Sequence, residues 1–191
     1  MSDQKRKMTI IPMADGSGYN AWFDGLIRIT DPSYSLPDFS GTVPLDDLTV
    51  TFEEPGLWAV TATTMDRTPD PRTGSLVMTR VAANPKVEDT ETIEIGKAAV
   101  DTGHIAIVAD KFGGVEDWED YVDQLHDDLV GPQPGTVAAI DGTLVCRSGL
   151  GDGNYSVYGT RLRDSGELVK VVVDFTSSQA AWEILYGGIE F

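Results

Sequence analysis

Ser148–Phe175 reads SGLGDGNYSVYGTRLRDSGELVKVVVDF, and this stretch decides the fold. Tyr155, Val157 and Gly159 alternate with Ser156, Tyr158 and Thr160, the period-two pattern of a strand. Arg161, Leu162 and Arg163 continue it. Asp164-Ser165-Gly166 supplies turn chemistry: Asp suits the first turn position, and Gly accepts the positive φ that closes a three-residue hairpin loop with a bulge. Leu168–Phe175 is the return strand. Its run Val171-Val172-Val173 predicts burial on both faces and a central place in the sheet. The lead-in Gly151-Asp152-Gly153 reads as a tight turn, with an anion nest or metal loop as the rarer use of such a triplet.

A second, weaker copy lies upstream. Gly56-Leu57-Trp58-Ala59-Val60 matches Gly153-Asn154-Tyr155-Ser156-Val157, and Thr73-Gly74-Ser75-Leu76-Val77 matches Ser165-Gly166-Glu167-Leu168-Val169. Ahead of each hairpin, Asp24-Gly25-Leu26-Ile27-Arg28-Ile29 resembles Asp101-Thr102-Gly103-His104-Ile105-Ala106-Ile107. Two matches in the same order predict an internal duplication. The expected organisation is a flexible tail over 1–7, a first β unit over 8–82, a linker over 83–89 and a second unit over 90–191, all in one compact body. The fold class is α+β, predominantly β: two similar twisted antiparallel β units with one amphipathic acidic helix and a short C-terminal helix.

Taken in order, residues 8–13 make a strand that Pro12 confines to an edge. Leu26–Thr30 alternates and stops at Asp31-Pro32. Leu48–Phe52 is β-branched, and strands follow over Leu57–Met65 and Gly74–Val81. Thr92–Ile95 and Ala98–Val100 read as strand broken at Gly96, His104–Val108 as the next. Val115, Trp118, Val122, Leu125 and Leu129 form one apolar stripe of a helix over 115–130. Thr136–Ile140 and Thr143–Cys146 flank Asp141-Gly142, a hairpin signal. Gln179–Tyr186 reads as the short C-terminal helix, 178–186, capped by Ser177 or Ser178.

The chain has 191 residues and a formal net charge of −17. That length buries a core unaided, and that charge argues against nucleic acid or an anionic membrane as direct partner, since phosphate binding needs a basic surface. No apolar run approaches the roughly 18 residues that span a bilayer, and no signal-peptide core follows the basic start MSDQKRKM. The lone cysteine, Cys146, rules out an internal disulfide and suits a reducing cytoplasm.

Acid concentrates between Glu88 and Asp128, where 13 carboxylates face only Lys97 and Lys111. Seven of them, Glu116, Asp117, Glu119, Asp120, Asp123, Asp127 and Asp128, fall on the predicted helix. Charge runs are usually solvated faces. Asp127 and Asp128, however, sit against the dipole near the helix C-terminus, which favours a functional reason for them. The leading expectation is a non-catalytic protein that binds a basic partner through these acids, of the immunity, inhibitor or anti-defence type, from a bacterium or phage. A second is a small-ligand or carbohydrate-binding module using Trp58 and Tyr155 at the hairpin ends. A third is a hydrolase-type enzyme with an unrecognised carboxylate or metal site, drawn from Asp110 and Asp152 with Asp31; ordinary turn chemistry accounts for those aspartates more simply. His104 and Cys146 would make a thiol dyad if the fold joined them, but a buried small cysteine and a hydrogen-bonded strand-end histidine account for them more simply. His126, on the acidic helix, is expected to be exposed. No catalytic set, cofactor motif or metal-ligand spacing is otherwise present.

Val100-Asp101-Thr102-Gly103-His104-Ile105, Gly151-Asp152-Gly153-Asn154-Tyr155-Ser156-Val157-Tyr158 and Val169–Phe175 together resemble bacterial proteins of domain-of-unknown-function family 4241. The likeness covers about residues 92–175. The family pattern has a Val-Asp-Ser-Gly strand, a Gly-Asp-Gly-x-Tyr turn and a valine-rich return strand. This chain departs from it at Thr102, at His104 and at Ala109-Asp110, where Asp-Pro is usual. Asp31-Pro32 has that Asp-Pro form. The family name carries no activity, so the resemblance implies a β-rich fold and nothing about catalysis.

Overall fold

The computed structural model of the chain describes residues 8–32, 48–65, 72–83, 85–109, 123–125, 132–140 and 142–176. The tail 1–7, the C-terminal helix 178–186 and nearly all of the acidic helix 115–130 lie outside them. The described chain is β-rich, with two antiparallel sheets and very little helix.

Twelve strands follow in chain order: β1 Thr9–Pro12, β2 Gly18–Phe23, β3 Leu26–Thr30, β4 Leu48–Thr51, β5 Gly56–Thr64, β6 Thr73–Arg80, β7 Thr90–Val100, β8 His104–Ala109, β9 Ala138–Ile140, β10 Thr143–Arg147, β11 Gly153–Leu162 and β12 Leu168–Asp174. A short 3-10 turn, Val87–Asp89, precedes β7. The first sheet runs β1-β2-β5-β6-β12-β11-β7 and the second β4-β3-β8-β10-β9. As its Pro12 requires, β1 is an edge.

The sheets face each other across one core. Ala21, Phe23, Trp58, Val60, Leu76, Met78, Tyr155, Val171 and Val173 from the first pack with Ile27, Ile29, Val50, Ile105, Ile107, Leu144 and Cys146 from the second. The alternate residues of the second sheet turn outward. There Ala106, Val108, Val145 and Ile140 form a smaller cluster with Leu125, from the helical turn Asp123–Leu125. Leu125 is therefore a core-facing member of the apolar stripe, while Asp123 and Gln124 of the same turn are exposed.

The opening hairpin is β11 and β12, and β12 is central, between β6 and β11. Two details differ from the sequence reading. Val171 and Val173 are buried but Val172 is only half-buried, because a strand in this sheet has a core on one side alone. The loop has four residues, not three: Leu162 N–H donates to the Glu167 carbonyl and Gly166 N–H to the Leu162 carbonyl. Gly166 takes the positive φ of +75° that the turn demands. Gly96 does not break β7; the ladder shifts by one residue opposite Val157/Tyr158, a bulge inside one continuous strand.

The pairing repeats itself about the β6–β12 and β3–β8 seams. Trp58 pairs with Ala21 and Tyr155 with Ala98. Val60 pairs with Met78 and Val157 with Val173; Ala62 pairs with Leu76 and Gly159 with Val171. On these registers Trp58 and Tyr155 hold equivalent places. Leu76, however, corresponds to Val171 rather than to Leu168. The sequence match slipped by three residues there because the loops between the paired strands differ in length.

Candidate functional site

The residue with the densest polar contacts is Asp31. It follows β3, its side chain is fully buried, and one carboxylate oxygen accepts the backbone N–H groups of Asp101 and Thr102, each at 2.7 Å. The Thr102 hydroxyl donates to the same carboxylate at 2.9–3.0 Å. Two successive N–H groups converging on an anion form a backbone nest. Asp31 thus ties the end of β3 to the turn between β7 and β8, some 70 residues on, so it is not a local turn former.

Around this turn the hub continues. His104 Nδ1 lies 3.0 Å from the Thr102 carbonyl. Gly103 accepts a hydrogen bond from Ser148 N–H, and the Ser148 hydroxyl donates to the Gly151 carbonyl at 2.8 Å. The Tyr155 hydroxyl donates to that same carbonyl at 2.7 Å. The Gly151-Asp152-Gly153 turn is therefore held by Ser148 and Tyr155 through its backbone, with Gly151 at φ +88°. Burial pushes the Tyr155 phenol above its usual range; hydrogen bonding from Ser148 and Leu150 works against this, and the nearby Asp152 charge adds to it.

The structure separates His104 from Cys146. Cys146 belongs to the core between the sheets, whereas His104 shares the outward phase of Ala106 and Val108 on its strand. Burial also pushes the Cys146 thiol far above the ordinary range, so no thiolate forms near neutral pH. The two residues form no dyad, and the plainer reading holds: a buried cysteine, and a strand-end histidine hydrogen-bonded to the backbone.

Trp58 and Tyr155 are 1% and 0% exposed. Trp58 packs against Phe52 in a tilted pair, with ring centroids 4.5 Å apart, and Tyr155 meets Phe175 edge-on at 5.0 Å. Both rings are interior packing, and neither presents a face to a ligand. Their polar ends differ: the Tyr155 hydroxyl has its carbonyl, while Trp58 Nε1 is buried with no hydrogen-bond partner among the described residues.

Of the aspartates weighed for a metal, Asp110 lies outside the described residues. Asp152 is exposed on its turn, and Asp31 is buried and occupied by the nest. Among the described residues no group of three or more His, Cys, Asp or Glu could hold a metal ion. No helix among them is long and apolar enough to cross a membrane. Of the seven helix acids only Asp123 is described, and it is exposed; Glu116, Asp117, Glu119, Asp120, Asp127 and Asp128 lie outside, as does His126.

Sequence reasoning missed an ion-pair chain at the hairpin end. Arg80 pairs with Glu167 and, at 3.8 Å, with Glu54. Arg161 approaches Glu53 at 3.9 Å and donates to the Gly166 carbonyl at 2.8 Å. These contacts lock the β4–β5 turn to the β11–β12 hairpin. Only the alternation of Arg80 with Leu76 and Met78 hinted that its side chain points inward. No family model, curated protein or solved structure matches the chain.

Proposed function

We propose that this is a non-catalytic acidic interaction protein that binds a basic partner, in the manner of an immunity, inhibitor or anti-defence protein of a bacterium or phage. The observation that carries the reading is the net charge of −17: it creates a field that attracts and orients cationic surfaces. The helical turn supports it. Leu125 is buried against the second sheet, and Asp123, an acid of the same turn, is exposed to solvent. The Asp31 hub argues in the same direction, because its carboxylate is spent on backbone donors and out of reach of any substrate proton.

We also propose that the two β units arose by duplication, from the repeated pairing registers, and that the motif residues around Asp101 and Gly151 reflect kinship with family 4241.

The test compares the wild-type protein with a variant in which Glu116, Asp117, Glu119, Asp120, Asp123, Asp127 and Asp128 become Gln or Asn. Immobilised wild type is expected to retain a basic protein at low salt, releasing it as ionic strength rises, and the variant to lose it. Retention unchanged by both neutralisation and salt overturns the reading.

A further inference from the structure

Among the described residues one long sheet edge has no strand beside it. Among the described residues the four edge strands are β1, β7, β4 and β9, of four, eleven, four and three residues. Short edges are a normal defence against stray strand pairing, and β1 adds Pro12. β7 has neither protection. Four consecutive residues, Glu91, Thr92, Ile93 and Glu94, are exposed on both faces of the strand, with Ile93 44% exposed. The repeated registers make the asymmetry plain: β2, the counterpart of β7 opposite Trp58, has its outer side covered by β1, whereas among the described residues β7 pairs only with β11.

We propose that the outer edge of β7, centred on Glu91–Glu94, accepts an extended Lys/Arg-bearing segment of the basic partner as an added antiparallel or parallel strand. The inference deepens the basic-partner reading and rests on it. Main-chain N–H and C=O groups on the free side of β7 supply affinity without regard to sequence, as in other strand-addition sites. Side chains supply the choice. Glu91 and Glu94 flank Ile93, and Glu88 and Asp89 stand just before the strand. A second copy of this edge would set carboxylate against carboxylate, which opposes self-pairing; lysine or arginine opposite Glu91 and Glu94 is favoured, with an apolar residue covering Ile93. The local cations do not cancel this. Lys86–Glu88 and Arg163–Glu91 are exposed pairs at 3.9 and 3.6 Å, easily exchanged for a partner's charges.

The experiment uses the full chain and two eight-residue peptides: a valine–lysine peptide, Thr-Val-Lys-Val-Thr-Lys-Val-Thr, which in antiparallel register sets lysine against Glu94 and Glu91 and valine against Ile93, and a valine–glutamate peptide with glutamate at both lysine positions. Amide hydrogen exchange is followed residue by residue, with and without peptide. The valine–lysine peptide is expected to slow exchange across residues 91–95 by about tenfold or more, the valine–glutamate peptide to leave it unchanged, and the Glu91→Lys/Glu94→Lys variant to reverse that preference. Binding with protection elsewhere, on the helix segment for instance, removes the edge assignment and leaves the basic-partner reading standing. Absence of protection with either peptide overturns the edge assignment, and the partner reading is then judged by the helix-acid variant alone. A wild-type dimer with slowed β7 amides would also overturn it, because the occupant would be a second copy.

Discussion

Asp31 accepts from three donors, two backbone N–H groups and the Thr102 hydroxyl shared between its two oxygens, on a turn that belongs to the other half of the chain. Its replacement by alanine leaves two part-buried N–H donors without their carboxylate, a loss that costs about 2 kcal/mol. Asp31→Asn keeps the shape and one acceptor while losing the charge, and should cost roughly half as much. Urea unfolding of the two variants checks the ranking; equal losses would mean that a neutral acceptor recovers nothing, and an Asp31→Asn variant as stable as the wild type would mean that the carboxylate charge contributes nothing. Tyr155 and Cys146 make a second prediction, about pH. Both groups are held above their ordinary values by burial, so the folded state favours their protonated forms. Their stabilisation is complete below the unfolded values, about 8.5 for the thiol and about 10 for the phenol. It is lost as pH rises above them, since the unfolded chain then releases protons that the folded chain retains. Tyr155→Phe should flatten the fall in stability above about pH 10, while costing about 1 kcal/mol at neutral pH for the lost bond to Gly151. Thermal melts across pH 7 to 11 read both effects. Gly149 is a further sensitive residue: a β-carbon there would press on the Thr73 carbonyl, the Met65 methyl and Phe175.

Among elements, β12 separates pattern from place. Val171 and Val173 face the core and Val172 the opposite side. Val171→Ala should cost about 2 kcal/mol, whereas Val172→Ala should cost less than about 1 kcal/mol. Chemical denaturation of the two variants checks this; equal costs would require cover over the outer face of the first sheet. The valine run was legible as a central strand because only apolar β-branched residues tolerate a core strand on such terms. The one-sided burial was not, because the sequence does not say whether a sheet has one neighbour or two. Likewise the bulge at Gly96 resembles a strand break in sequence, since a glycine weakens any strand signal whether the ladder ends or merely shifts.

For the whole molecule, both sheets are closed by seams between the halves, β6 with β12 and β3 with β8. A fragment of residues 1–84 would expose β6 and β3 as new edges and lose half of the shared core. It is expected to remain unfolded or to self-associate, and to recover strand structure when mixed with 85–191; circular dichroism with size-exclusion chromatography decides. A fragment that folds as a monomer would show each half to be self-sufficient. Net charge acts at the same scale. Self-repulsion at −17 should make the protein more stable as sodium chloride rises from low to physiological concentration, because the screening length shrinks to about 8 Å. A melting temperature indifferent to salt would mean that the acids are already locally neutralised.

What the amino-acid order determined by itself was local: the strands, the Asp-Ser-Gly and Gly-Asp-Gly turns, the edge placement of Pro12 and the likeness of Trp58 to Tyr155 are consequences of side-chain alternation and backbone preference within a few residues. Tertiary structure alone decided what each of these faces. It placed Trp58 and Tyr155 in the core, where they cannot receive a ligand, set Cys146 and His104 on opposite sides of one sheet, and sent Asp31 to a turn 70 residues away. Among the described residues it also gave β2 a covering strand and its counterpart β7 none. These outcomes depend on which strands become neighbours, and strand neighbours are chosen by the burial of whole faces, a sum over distant segments that no local pattern contains.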